Sequence, residues 1–259
     1  LYKTEHIGEI FDKCRSGDIW EVDISLFDSC NRKCNSCPRK DELLAPNTDL
    51  EMPVALYKKI ASNLKAINFN GLVMFSGYGE PLLYKDIVSV IKEFNFTYVD
   101  VVTNGDYLTL ELSDKIVEAG VNKILISQYC NKDFTKIQAR HPVNIIIRDR
   151  RVEMNGLNNR GGTLNHNTNI SLCYYPFHFL MVDWNGDCYP CCHDWNRRFK
   201  VGNLSFSTVE EIWESPQINK VRDMFFKGGR FNYPCKVCDV DGKVRGERNF
   251  DTYLQRRLR

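Results

Sequence analysis

Residues 20–37 read W-E-V-D-I-S-L-F-D-S-C-N-R-K-C-N-S-C. Residues 20–26 alternate apolar and polar side chains at their start, and the chain then runs straight to Cys30, the pattern of a strand that feeds a loop. Beyond the loop, residues 53–67 carry apolar side chains at helical spacing, with Asp49 and Glu51 upstream as start signals. Strand, loop and helix then recur. Residues 71–76 (GLVMFS) predict a buried strand, 86–94 a helix, 98–103 (YVDVVT) a strand, and 110–119 a helix ended by Gly120. Residues 121–127 and 143–147 predict two further strands. Strands alternating with helices make an α/β fold, a parallel sheet of right-handed βαβ units. Periodicity alone leaves open whether that sheet curls into a barrel.

Around residues 156–169 (GLNNRGGTLNHNTN) the texture turns to Asn and Gly, marking a loop or a boundary between a first unit, residues 1–165, and a second, residues 166–259. In the second unit, residues 177–191 predict a β-hairpin closed by Asn185-Gly186, a pair suited to the positive φ angles of a type I′ turn. Residues 207–210 (STVE) fit a capping box opening a helix through Trp213, and residues 218–226 fit a second short helix. The tail, residues 243–259, holds five Arg and reads as a solvated or frayed helix.

A chain of 259 residues accommodates one large domain with an appendage. Its hydrophobic share of 43% and charged share of 26% are ordinary globular usage, which excludes disorder and fibrous repeats. Lys+Arg 35 against Asp+Glu 33 leaves +2, so there is no field for wrapping nucleic acid or docking broadly on an acidic membrane. The most apolar run, residues 174–182, is broken by Pro176 and His178 and falls short of the roughly 20 residues of a membrane span. Residues 1–20 are too charged for the apolar core of a signal peptide. These features point to a small-molecule partner and to the cytoplasm.

Eleven cysteines are the unusual feature. An odd count in a long chain without a signal argues against a disulfide framework, and close-set thiols in a reducing compartment point to metal or iron–sulfur ligation. Cys14 and Cys130 stand apart and read as buried small hydrophobes. Cys30, Cys34 and Cys37 form C-x3-C-x2-C with no fourth Cys or His nearby, whereas tetrahedral zinc wants four ligands. Three thiolates suit a 4Fe-4S cluster with one iron left open to a substrate or cofactor; a zinc knuckle completed by a distant ligand is the alternative. The second constellation is Cys173, Cys191, Cys235 and Cys238, in which Cys235-x2-Cys238 is a chelating pair and Gly186-x4-Cys191 sets a thiol just after the hairpin. Four thiolates close a site, as an electron-transferring or structural cluster or as a four-cysteine zinc centre. Cys188 and Cys192 flank Cys191 and are alternative ligands.

On these motifs the sequence resembles the radical S-adenosylmethionine (SAM) superfamily. The resemblance implies a partial (β/α)6 TIM barrel in which Cys30, Cys34 and Cys37 hold a 4Fe-4S cluster. Its open iron takes the amine and carboxylate of SAM, and reductive cleavage yields a 5′-deoxyadenosyl radical that removes a substrate hydrogen. Ser76-Gly-Tyr78-Gly79-Glu80-Pro81 is similar to the family's Gly-Gly-Glu motif, which hydrogen-bonds the SAM amine, with Tyr78 in place of the first Gly. Thr103-Asn104-Gly105 is similar to its Thr-Asn-Gly, and Ser127-Gln128 stands where its polar residues meet the ribose and methionine. The family commonly has an aromatic residue before the third cysteine; here that residue is Ser36, so adenine is expected to be held from elsewhere. The C-terminal cysteine spacing resembles the SPASM/twitch extension. With no cysteine after Cys238, the twitch form with one auxiliary 4Fe-4S cluster, in a β-hairpin and helix unit, is the better match.

Within the superfamily, residues 21–238 are similar to the twitch-type aminocyclitol alcohol dehydrogenases, through Cys30-Asn-Arg, Cys37-Pro, Thr103-Asn-Gly-Asp-Tyr-Leu, Asn159-Arg-Gly-Gly162, Pro190-Cys191 and Gly202-Asn203. That similarity implies oxidation of a sugar or aminocyclitol hydroxyl to a ketone in natural product biosynthesis, with the auxiliary cluster accepting an electron and a flavodoxin or ferredoxin as donor. Arg160 either binds a SAM or substrate carboxylate or braces its loop, and His193 either accepts the hydroxyl proton or merely neighbours the cluster. The resembling enzymes carry Phe and Glu where this chain has Cys192 and His193, so its substrate contacts differ. Three readings compete: sugar epimerisation with Cys188, Cys192 or a tyrosine donating hydrogen, peptide modification, and a non-enzymatic zinc or iron–sulfur binding module.

Overall fold

The computed structural model describes residues 2–151, 158–165, 168 and 172–259, and side chains from residue 6 onward. Of the Asn- and Gly-rich stretch, residues 156–157, 166–167 and 169 lie outside the described residues. A first helix, α1 (Tyr2–Asp12), leads to β1 (Glu21–Ile24). The chain then alternates: α2 (Val54–Ala66), β2 (Leu72–Phe75), α3 (Ile87–Phe94), β3 (Tyr98–Thr103), α4 (Leu110–Glu118), β4 (Lys123–Gln128), α5 (Thr135–Arg140) and β5 (Ile145–Asp149). These five strands pair in parallel in chain order. After the short α6 (Tyr175–His178), β6 (Phe179–Val182) lies parallel on the free flank of β1, with Glu21 opposite Phe179. Six parallel strands with their helices make the expected partial barrel, and the sheet continues through antiparallel β7 (Asp187–Tyr189) and β8 (Gly202–Asn203). Helices α7 (Val209–Trp213), α8 (Pro216–Phe226) and α9 (Glu247–Leu258) complete the chain.

The strands are apolar on both sides because both sides are covered. Val22, Ile24, Val73, Phe75, Val99 and Val101 meet Ile60, Leu64, Ile91, Phe94 and Ile116 of the helices in one buried core. Each fully buried Ile, Leu or Phe there contributes about 1.5–3 kcal/mol. Alternate residues face inward. At the N-terminal end of the barrel Leu72 and Met74 meet Ile7, Ile10 and Phe11 of α1, a cover the sequence reading did not anticipate. Glu21, Asp23 and Asp100 are also buried on the inner face, where Asp23 accepts a hydrogen bond from Ser76 Oγ at 3.0 Å.

Several local readings need correction. The start of α2 is set by Pro53 at its N-cap rather than by the acidic residues, since Glu51 forms a bridge with Phe27 and Asp49 sits in a left-handed turn at φ 56°. The hairpin turn is not type I′. Only Gly186 has positive φ, and Gly186 N donates to Asp183 O while Asp183 N donates to Asp187 O, a type I turn followed by a glycine bulge. The capping box lies one residue further on, Thr208 with Glu211, opening α7. The tail is docked rather than frayed. In α9, buried Asn249 accepts from Gly17 N and donates to Asp18 O and Phe177 O, and Phe250 and Tyr253 stack edge-on against Phe177.

Candidate active site

Parallel pairing in register brings the C-terminal ends of β1 to β4 to one edge of the sheet, and each loop carrying a predicted SAM-site residue leaves from that edge. The loop after β1 holds Cys30, Cys34 and Cys37. It is knit by Arg39, a residue the sequence reading missed. The buried Arg39 guanidinium pairs with Asp28 at 2.5 Å, donates to Pro46 O at 2.8 Å, and donates through Nε to Tyr78 O in the loop after β2. Burial, then the neighbouring Cys37 and Cys30, push the Cys34 thiol up to about 11, and burial raises Cys30 as well. Without a metal these buried thiols favour their protonated forms. Iron ionises such ligands outright, so three mutually close thiols on one loop fit a cluster bound through three cysteines.

Glu80 organises the neighbouring loops. Its Oε1 accepts from Thr103 Oγ1 at 2.6 Å and Leu82 N at 3.0 Å, and its Oε2 accepts from Asn104 N at 2.9 Å. Burial raises this carboxyl, and the Asn104 N–H and Thr103 hydroxyl oppose that rise. Asn104 in turn donates to Asn31 Oδ1 at 2.8 Å and reaches Cys30 Sγ at 3.8 Å. The structure therefore joins Glu80, Thr103, Asn104 and Cys30 in one chain of contacts. Gly79 allows it, because a methyl there would overlap the main-chain oxygens of Phe27 and Ser29.

The Tyr78 side chain is committed to the core. Its ring is fully buried edge-on to Trp195 and Tyr189, its hydroxyl donates to Asp194 O at 3.0 Å, and its main-chain oxygen is taken by Arg39. The position needs a core aromatic, which explains the departure from Gly. At the end of β4, Ser127 Oγ accepts from Arg148 at 2.8 Å, and Gln128 Nε2 donates to Lys132 O at 2.7 Å, bracing the loop of residues 128–132. Cys130 on that loop is not a buried hydrophobe. It is partly exposed, and hydrogen bonds from Lys132 N and Arg32, the latter at 3.0 Å, hold its thiol below the usual range. Cys14 is buried as expected.

The second constellation converges. Cys173, Cys191, Cys235 and Cys238 line one cavity together with Tyr175, Pro190, His193 and Arg230. Four thiols around a common space suit a 4Fe-4S cluster or a four-cysteine zinc centre. Main-chain donors already point at the sulfurs: His193 N to Cys191 Sγ at 3.3 Å and Val240 N to Cys238 Sγ at 3.4 Å. Burial pushes Cys173 up to about 11 and raises Cys235 and Cys238. Cys188 faces the other way. It is fully buried in the helix-side core and donates to Gly186 O at 3.5 Å, which removes it as a ligand or hydrogen donor. Cys192 packs against the cluster of Tyr78, Phe179 and Tyr189, and its thiol is hydrogen-bonded to that of Cys191.

The Asn159-Arg160-Gly161-Gly162 turn joins the two regions. Asn159 Nδ2 donates to Val237 O at 2.7 Å, Gly161 N–H points at the Cys238 thiol, and Arg160 takes φ 51°. The Arg160 charge is felt at Tyr129, as are those of Cys34 and Cys37, and its Nε is buried without a hydrogen-bond partner. The His193 ring stands edge-on to Tyr175, and its Nδ1 is likewise buried without a partner.

Two domain families match the chain: the Radical SAM superfamily over residues 24–148, and SPASM, an iron-sulfur cluster-binding domain, over residues 173–239. The chain is 27% identical over 249 residues, 90% of its length and 97% of the relative's, to the S-adenosyl-L-methionine-dependent 2-deoxy-scyllo-inosamine dehydrogenase of Niallia circulans. It is 33% identical over 108 residues, 40% of its length and 33% of the relative's, to a probable GTP 3′,8-cyclase of Pyrococcus abyssi. Among solved structures it resembles BtrN in complex with AdoMet and 2-DOIA, at TM-score 0.75 and 24% identity over 88% of this chain and 95% of that one, a likeness of fold. No helix among the described residues is long and apolar enough to cross a membrane.

Proposed function

Since the chain belongs to the radical SAM superfamily and ends in a SPASM-type cluster-binding domain, we propose that it oxidises a hydroxyl of a sugar or aminocyclitol to a ketone, with the auxiliary site accepting an electron. The observation that carries this reading is the cavity walled by Cys173, Cys191, Cys235 and Cys238, tied by the Asn159-Arg160-Gly161-Gly162 turn to the surroundings of the first cysteine loop. A site closed by four thiols has no open position for substrate, which suits it to electron transfer rather than to substrate binding. The dehydrogenase named above, similar over nearly its whole length, acts on an aminocyclitol by its name, which supports that substrate class.

When bound, SAM and the first 4Fe-4S cluster supply a 5′-deoxyadenosyl radical that removes a hydrogen atom, and the auxiliary cluster supplies a one-electron acceptor. The chain's own residues supply placement. Cys30, Cys34 and Cys37 hold the first cluster, and Glu80 fixes the Thr103-Asn104 loop beside it. Gly79, with no side chain, lets that loop approach the main chain after β1. Ser127 and Gln128, at the end of β4 on the same edge of the sheet, would meet the ribose and methionine of SAM. Arg160, with its buried open Nε, is suited to a carboxylate or a hydroxyl oxygen of SAM or substrate, and His193 borders the auxiliary end. A flavodoxin or ferredoxin supplies the starting electron.

The test is anaerobic reconstitution with iron and sulfide counts, followed by incubation with SAM, a reductant and a panel of sugars and aminocyclitols. About eight irons, ketone product and 5′-deoxyadenosine in equal amounts, and transfer of carbinol deuterium into 5′-deoxyadenosine are expected. Cys192, a partly exposed thiol hydrogen-bonded to Cys191 and absent from the lining of the auxiliary cavity, favours one second reading, redox-neutral epimerisation. Solvent deuterium in an epimerised product, without ketone, would establish that outcome instead.

A further inference from the structure

We propose that Arg230 raises the electron affinity of the auxiliary site by holding a buried cation at its wall. The proposal rests on the reading of that site as a four-cysteine iron–sulfur centre.

Arg230 lies between α8 and the Cys235-x2-Cys238 pair, is buried, and lines the same cavity as the four thiols. Two main-chain acceptors fix it: Nη1 donates to Cys238 O at 3.2 Å and Nη2 donates to Val240 O at 2.7 Å. Both carbonyls belong to the loop carrying a ligand, so the guanidinium keeps a set position relative to the sulfurs. Arg230 and the thiols of Cys173, Cys235 and Cys238 share the wall of one cavity.

Four thiolates around a 4Fe-4S core in its oxidised, 2+ state carry a net charge of about −2, and one added electron takes this to about −3. A fixed cation in a low-dielectric wall stabilises the more negative state more, so it raises the reduction potential. An acceptor tuned this way takes an electron more readily.

Arg230→Gln and Arg230→Lys separate charge from anchoring. Each keeps a donor for one of the two carbonyls, and only Lys keeps the charge. The holoenzyme, the Gln variant and the Lys variant are reconstituted anaerobically and titrated with dithionite under EPR, SAM addition identifying the signal of the SAM-binding cluster. In Arg230→Gln the auxiliary couple is expected to shift toward the oxidised form by tenfold or more in its equilibrium constant, about 59 mV for one electron. Arg230→Lys is expected to stay within about threefold of the parent, and the SAM-binding cluster to be unmoved in both. Equal shifts in the two variants, no shift in the Gln variant, or loss of the auxiliary cluster from both with the fold intact overturns the proposal. Zinc in place of iron in the parent overturns it too, and in that case the underlying reading of the site fails with it.

Discussion

Asn159 and Asp239 exchange hydrogen bonds across the molecule: Asn159 N donates to Asp239 Oδ1 at 2.7 Å, and Asp239 N donates to Asn159 Oδ1 at 3.2 Å. Asp239 directly follows Cys238, and Arg160 directly follows Asn159, so this exchange sets Arg160 relative to the auxiliary cavity. Asn159 is fully buried, and Asn159→Ala leaves Val237 O and the Asp239 N–H short of a partner, at about 1–3 kcal/mol for each such group. The expected result is uncoupling. Product formation falls about tenfold or more, as a loss of about 1.4 kcal/mol in placement implies, while SAM cleavage without substrate persists. Ketone and 5′-deoxyadenosine measured in the same reaction check this, and their falling in parallel would show that the turn has no such role.

The Glu80 carboxylate receives three donors on two oxygens. In Glu80→Gln the amide NH2 must face either the Asn104 N–H or the Thr103 and Leu82 donors, so one contact becomes donor against donor. The loss of a charged acceptor costs about 1.5–3 kcal/mol. SAM cleavage should fall about tenfold to a hundredfold with the iron count unchanged, because no cysteine depends directly on Glu80. Iron analysis beside a 5′-deoxyadenosine assay decides it. Loss of iron in step with activity would make Glu80 a support of the cysteine loop instead.

The parts of this site legible in the sequence were those whose chemistry is local. Cys30, Cys34 and Cys37, and the Cys235–Cys238 pair, announce themselves because chelation demands close spacing. Thr103 and Asn104 were found by motif, but their bond to Glu80, across 23 and 24 residues, leaves no mark in either segment. Arg39 was missed for the same reason. A buried arginine satisfied by Asp28, Pro46 O and Tyr78 O has no periodicity to betray it. The hairpin turn was misread because Asn-Gly supplies two residues able to take positive φ, and the hydrogen bonds from Gly186 N to Asp183 O and Asp183 N to Asp187 O need only one. The capping box slipped by a residue because Ser207 and Thr208 are both capable caps, and only the helix start chooses between them.

His178 ties acid stability to the base of the barrel. It is buried against Trp20 and Phe11, its Nδ1 faces Tyr174 O at 2.9 Å, and burial pushes it down from 6.5 to about 4. The unfolded chain therefore binds this proton at a higher pH than the folded one. Stability is complete above about pH 6.5, falls as the pH drops toward 4, and loses no more below that. At pH 5.5 the loss attributable to His178 is about 1.4 kcal/mol. His178→Gln, which retains a donor for Tyr174 O, should remove that part of the difference between pH 7 and pH 5.5 in anaerobic urea unfolding. An unchanged difference would place the acid sensitivity elsewhere.

Cys188 and Cys191 are three residues apart, yet their sulfurs serve opposite sides of the hairpin. In β7, Tyr189 turns toward Tyr78 and the barrel interior, so Cys188 must turn toward the helix-side core. Two residues beyond Tyr189, Cys191 has left the strand and presents its sulfur to the cavity. Cys191→Ser should lower the count from about eight irons to about four and abolish ketone formation. Cys188→Ser should keep all the iron and lose about 1–3 kcal/mol of stability, because a hydroxyl replaces a thiol in apolar surroundings where Gly186 O is its acceptor. Cys192→Ser should keep the iron as well, since Cys191 and not Cys192 lines the cavity, although the two thiols are hydrogen-bonded. Iron retained in Cys191→Ser but lost in Cys192→Ser would exchange the roles of those two neighbours, and the hairpin would then deliver its ligand one residue later than its geometry indicates.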